Sequence, residues 1–98
     1  MKSEEIKQLF EQFENAAAEL EGVECWSARD LQVLLGYTKW ENFEKVIQKG
    51  KDACKNVGEE IAYHFPDVRK TIPMPKGAEK EIDDILLTRY ACYLIAQN

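Results

Sequence analysis

SARDLQVLLGYTKWENFEKVIQKGKDACKNVG, residues 27–58, is the stretch whose reading decides the fold. Ser27 followed three residues later by Asp30 resembles a capping box with Asp in the place of Glu. Ala28, Leu31, Leu34 and Leu35 supply the apolar face of a short helix, and Gly36 stops it in the C′ position. After the turn Gly36-Tyr37-Thr38 a longer helix is predicted. Trp40, Phe43, Ile47, Gly50, Cys54 and Val57 fall on one stripe at steps of three and four, and Gly58 terminates it. Lys45, Lys49, Asp52 and Lys55 take the opposite face. Two helices joined by a tight glycine-containing turn make a candidate helix-turn-helix, a geometry shared by many helix pairs that never touch DNA.

On the N-terminal side, Val23-Glu24-Cys25-Trp26 lies between Gly22 and Ser27 and reads as a brief strand. Before it, Ile6, Leu9, Phe10, Phe13, Ala16, Ala17 and Leu20 recur at three and four, so an amphipathic helix is expected from Glu4 to Leu20, ending near Gly22, with Ser3 as N-cap. On the C-terminal side, Pro66, Pro73 and Pro75 exclude a long helix. Val68, Lys70, Ile72 and Met74 alternate with Arg69, Thr71 and the prolines as an edge strand does, Lys76-Gly77 is a turn signal, and Glu79 to Ile82 can return as the partner strand. This predicts a basic-tipped β-hairpin carrying Arg69, Lys70, Lys76 and Lys80. Asp83 or Asp84 would then cap a last helix, Ile85 to Gln97, which has a single charge at Arg89. A helix apolar nearly all round needs cover on every side, so association with a second chain through Tyr90, Tyr93 or Leu94, a homo-oligomer, is expected. The fold class is α+β: a mainly helical single domain with a helix-turn-helix-like pair, a small β-hairpin and a C-terminal apolar helix. The division expected is an acidic helix over 1–22 and a domain over 23–98.

The composition suits that reading. The chain has 98 residues, 45 % hydrophobic and 32 % charged, which allows one core and none of the depletion that marks disorder. No apolar run approaches the roughly 20 residues that span a bilayer, and the first residues lack a signal-peptide apolar region, so a cytoplasmic protein with no membrane partner is expected. The net charge of −5 is unevenly held: residues 1–25 carry seven Glu against Lys2 and Lys7, while residues 26–98 balance to zero. An acidic segment beside a neutral domain leaves nucleic-acid binding open.

Enzyme chemistry is not signalled. His64 is the lone histidine, and no Ser or Cys has an activating context. Glu59-Glu60 and Asp83-Asp84 read as a solvated turn and a helix N-terminus. Cys25, Cys54 and Cys92 are odd in number and without CxxC spacing, so buried free thiols are expected, with no disulfide framework and no zinc site. Neither a phosphate-binding glycine loop nor any cofactor motif occurs. Trp26, Tyr37, Trp40, Phe43, Tyr90 and Tyr93 read as core rather than as stacking platforms, with Trp40 the expected anchor.

The Trp-Ser-Ala-Arg opening at Trp26, Leu-Leu-Gly-Tyr at Leu34 and Arg-Tyr-Ala-Cys-Tyr-Leu at Arg89, in that order, closely resemble the N-terminal part of the DNA-damage-inducible protein D (DinD) family, over about Cys25 to Asn98. That family is related to the BRO-type N-terminal domain of phage antirepressors. The resemblance implies a bacterial SOS-type stress protein in a longer architecture, with further helices beyond Ile95-Ala96-Gln97-Asn98. It associates DinD-like proteins with RecA-type recombinase filaments and the BRO-type domain with DNA. Two functions follow: a DNA-binding module using Lys45, Lys49, Arg69, Lys70, Lys76 and Lys80, with about four to six phosphate contacts, or a protein-interaction module on a recombinase filament that binds no DNA itself.

Overall fold

The computed structural model describes residues 3–97. Its elements run α1 (Ser3–Asn15), β1 (Ala18–Leu20), β2 (Val23–Ser27), α2 (Ala28–Leu34), α3 (Trp40–Asn56), α4 (Ile61–His64), β3 (Asp67–Pro73), β4 (Glu79–Leu87) and α5 (Arg89–Ala96). The described residues thus form a single α+β domain of five helices and one antiparallel sheet with strand order β1-β2-β4-β3.

The local signals of residues 27–58 act as expected. Ser27 Oγ accepts the Asp30 N–H at 3.3 Å at the head of α2, and Gly36 and Gly58 both adopt the left-handed backbone that ends their helices. Phe43, Ile47, Gly50 and Cys54 of α3 are buried, but Val57 is 60 % exposed, because it already lies past the last helical turn as the C-cap. Trp40 is only half-buried, under the Arg29 guanidinium, whose carbon stands 3.8 Å from the ring centre. The anchor is Trp26 instead, fully enclosed on β2 with Leu87 opposite it on β4.

α3 and α5 approach closely at Gly50. A Cβ there would stand 3.0 Å from Ile95 Cγ1 and 3.4 Å from Phe65 Cζ. In Gly50→Ala the higher helix propensity of alanine, worth about 1 kcal/mol, opposes an overpacking cost of about 1–3 kcal/mol. The crowding wins by about 1 kcal/mol, and urea melts of the two proteins measure it; an unchanged or raised midpoint would mean that Ile95 and Phe65 yield freely.

Two boundaries differ from the sequence expectation. The first helix ends at Asn15 rather than near Leu20, with Ala16 N–H closing onto the Gln12 and Phe13 carbonyls at 3.1 and 3.2 Å. Ala18–Leu20 forms a strand because Glu21 and Gly22, at φ 51° and 81°, make a two-residue turn that folds it back on Val23–Cys25. The predicted last helix likewise loses its first turn: Ile85–Leu87 belong to β4, and Thr88 is the N-cap, its Oγ1 accepting the Ala91 N–H at 3.1 Å. The hairpin is therefore no isolated appendage, since β4 pairs with β3 along its length and with β2 at its end.

Asp84 does not cap α5. It lies buried in β4 and serves α2 from across the fold: Oδ1 accepts the N–H groups of Arg29 at 3.0 Å and Ile85 at 2.8 Å, and Oδ2 accepts the Ser27 hydroxyl. α1 is held mainly by Phe13, which stacks on Trp26 at 4.4 Å and receives the indole N–H on its carbonyl at 2.7 Å. Arg89 adds a bridge to Glu14 and Glu24, and its hydrogen bonds hold the Glu14 carboxyl below the ordinary range.

Candidate nucleic-acid interface

β3 and the distal half of β4 form a two-stranded arm. The alternation along β3 is regular: Val68, Lys70 and Ile72 are half-buried, while Asp67, Arg69, Thr71 and Pro73 are exposed. At the tip, Lys76 and Gly77 both take positive φ, 64° and 77°, and the Met74 N–H closes the turn on the Ala78 carbonyl at 2.8 Å. Proline suits this edge, where no ladder donor is needed.

Register decides which charges meet. Lys70 pairs with Ile82, Ile72 with Lys80 and Val68 with Asp84, so Lys70 and Lys80 share one face with apolar neighbours. Arg69 pairs with Asp83, Thr71 with Glu81 and Pro73 with Glu79, so Arg69 shares the other face with carboxylates. It stands 3.8 Å from both Glu81 and Asp83. The four cations expected to cluster on the hairpin are thus split: Lys70 and Lys80 on one face, Lys76 at the tip, Arg69 behind. Lys70 is joined to Asp30 at the start of α2; Lys76 and Lys80 make no ion pair with the described residues.

Lys45 and Lys49 share the outer face of α3, one turn apart and both exposed. Lys45 borders a shallow hollow of about 350 Å³ with Glu41, Glu44, Gln48 and Ile85. Ile85 faces the side of the sheet from which Arg69 projects, so the α3 lysines are not continuous with the Lys70–Lys80 face.

One cation escaped the sequence reading. Arg29 lies flat over Trp40, and its Nε–H donates to the Asp83 carbonyl at 2.8 Å, tying the base of the arm to the start of α3. Nothing in the spacing of Trp-Ser-Ala-Arg signals that contact, which exists only because α2 and α3 fold back on β4. His64 meets Thr88 Oγ1 at 2.7 Å and stands 3.7 Å from Glu59. No group of three metal-ligating side chains occurs among the described residues, and none of their helices is long and apolar enough to cross a membrane. Cys25 and Cys54 are buried as expected; Cys92 is half-buried, and burial pushes its thiol up to about 12, which keeps it protonated at neutral pH.

Residues 17–98, which include the whole sheet, match the model of the BRO family, N-terminal domain. The chain belongs to the BRO family. This BRO N-terminal domain is similar to the DNA damage-inducible protein D of Escherichia coli (strain K12), with 43 % identity over 77 residues. The matched stretch covers 79 % of the chain and 28 % of that relative, so the chain spans less than a third of its length. No solved structure matches this BRO domain.

Proposed function

We propose that this BRO N-terminal domain is a DNA-binding module of a bacterial SOS-type DNA-damage response, acting in the cytoplasm as an accessory rather than as an enzyme. The observation that carries the reading is the cationic side of the arm, where Lys70, Lys80 and the tip residue Lys76 stand on a narrow ribbon of two strands. Such a ribbon has the dimensions to follow a groove of duplex DNA. Arg69 projects from the opposite face, among Glu81 and Asp83, and is left out of this contact set. Lys45 and Lys49 form a second patch, in which α3 takes the part of the second helix of a helix-turn-helix-like pair.

These groups supply charge without the Asn, Gln or bidentate Arg set that distinguishes bases, so binding is weak and tolerant of sequence. Lys76 and Lys80, with Lys70 exchanging Asp30 for a phosphate, neutralise three phosphates and give a slope of log K against log salt of roughly −2.7, at about 0.9 each. Lys76→Ala with Lys80→Ala flattens that slope by about 1.8 without unfolding the exposed tip. Lys45→Ala with Lys49→Ala reports separately on α3. A duplex titration over a salt series measures both.

The second reading is a protein module that modulates a RecA-type recombinase filament without touching DNA. The lack of a net positive charge favours it: residues 26–98 balance to zero, and the acidic residues 1–25 bring the chain to −5. Absence of duplex and single-strand binding at low salt, together with co-sedimentation with recombinase filaments, would replace the first reading by this one.

A further inference from the structure

α1 presents an apolar side, yet the domain fully buries none of its residues and covers only Leu9, Phe13 and Glu14 in part. Ile6, Leu9 and Phe10 form one wall of a groove of about 510 Å³, with Leu31 and Leu34 of α2 and Tyr93 of α5 lining the rest. Phe10 is 60 % exposed, Tyr93 58 % and Ile6 51 %, three large side chains around one depression. A contiguous patch of this kind is uncommon on a surface that serves only to meet water.

The surrounding charge indicates what fits. One wall of the groove is the acidic α1, which carries Glu4, Glu5, Glu11 and Glu14 against Lys7 alone. The cation at its end, Arg89, is shared by Glu14 and Glu24, so it cancels one of those two charges and leaves the region anionic. A second copy of the chain would bring two acidic segments together. A cationic helix meets them favourably, and α1, with 13 residues and a length of about 20 Å, offers a wall for roughly three turns of it.

We propose that the groove between α1, α2 and α5 receives an amphipathic, lysine- or arginine-rich helix of a protein partner, with apolar anchors at i, i+3 or i+4, and i+7. The groove shares no residue with the lysine set of the arm and α3, and the proposal stands apart from DNA binding.

The test uses the full chain and a fluorescein-labelled peptide of about 14 residues, leucines at that spacing and lysines elsewhere, followed by fluorescence anisotropy. Saturable binding is expected, weakened by salt, and roughly ten-fold or more weaker for two controls: glutamates in place of the lysines, and the same composition in scrambled order. Phe10→Asp reduces binding of the lysine peptide by a similar factor. Because the substitution adds negative charge, it would strengthen a complex held by charge alone. Circular dichroism shows whether Phe10→Asp remains folded, and Tyr93→Asp, on the opposite wall, gives the same reading independently. No binding, equal binding of the glutamate or scrambled peptide, or binding that survives both substitutions overturns the proposal. Sedimentation of the free chain as a dimer that Phe10→Asp dissociates overturns it as well, since a second copy would then fill the groove.

Discussion

Trp26→Ala removes about half of the stability of the chain and shifts its denaturation midpoint far below that of the parent. The side chain is wholly enclosed, and its removal costs about 3–5 kcal/mol in lost transfer and cavity terms. A domain of this size has a total of about 5–10 kcal/mol. The local consequence is larger than the cavity, because the same indole supports Phe13 by stacking at 4.4 Å and donates to its carbonyl at 2.7 Å. The substitution therefore releases α1 as it empties the core. Trp40→Ala is the control: that ring is only partly buried, at the edge of the core under Arg29, so its loss costs about 1–2 kcal/mol and the fold survives. Chemical denaturation of both variants decides the matter, and similar midpoints for the two would contradict the assignment of Trp26 as the anchor.

Asp84→Ala is expected to lower stability by about 3–5 kcal/mol. Hydrogen bonds to a charged acceptor contribute roughly 1.5–3 kcal/mol each, and the carboxylate accepts three. Truncation strands the Arg29 and Ile85 N–H groups and the Ser27 hydroxyl in a place water reaches poorly. Asp84→Asn keeps the volume and part of the acceptance, so it falls between. Asp83→Ala, one residue away on the exposed face, stays within about 0.5 kcal/mol. Thermal melts of the three proteins, with amide exchange at Arg29 as the local probe, separate a buried cap from a solvated carboxylate pair. Equal, small effects at both positions would contradict the buried role of Asp84.

What could be read from the residues was whatever depends on near neighbours. Ser27, Gly36 and Gly58 act within a turn of their own position, and the α3 stripe follows from its period. β1 carries no local signal, because three residues are too few to show a period of two, and Ala16, Ala17 and Leu20 continue a helical spacing that only the pairing with β2 interrupts. Ile85–Leu87 suit strand and helix equally, and β2 and β3 on either side settle it. The candidate site followed the same division. The lysines and Arg69 were legible as charges, but their distribution over two faces depends on the register of β3 against β4. Asp84 and Arg29 act on partners more than 50 residues away, beyond the reach of any local pattern.

The sheet order has a consequence for synthesis. β2 and β4 are the two inner strands, and the Ser27–Asp84 link between them closes 57 residues of chain. On the ribosome, α2 and α3 emerge long before β4, and at about 5–20 residues per second the interval lasts several seconds. Helical turns form far faster than that, so the nascent segment waits as a helix pair whose inner side, Leu31 and Phe43, together with Trp26 of β2, has no β4 to cover it. Closing so long a loop carries an entropic cost that is met only when β4 arrives, which makes this strand the step that turns a sticky intermediate into a folded protein. During that interval the nascent chain is a natural client for chaperones that bind exposed aromatic and aliphatic segments.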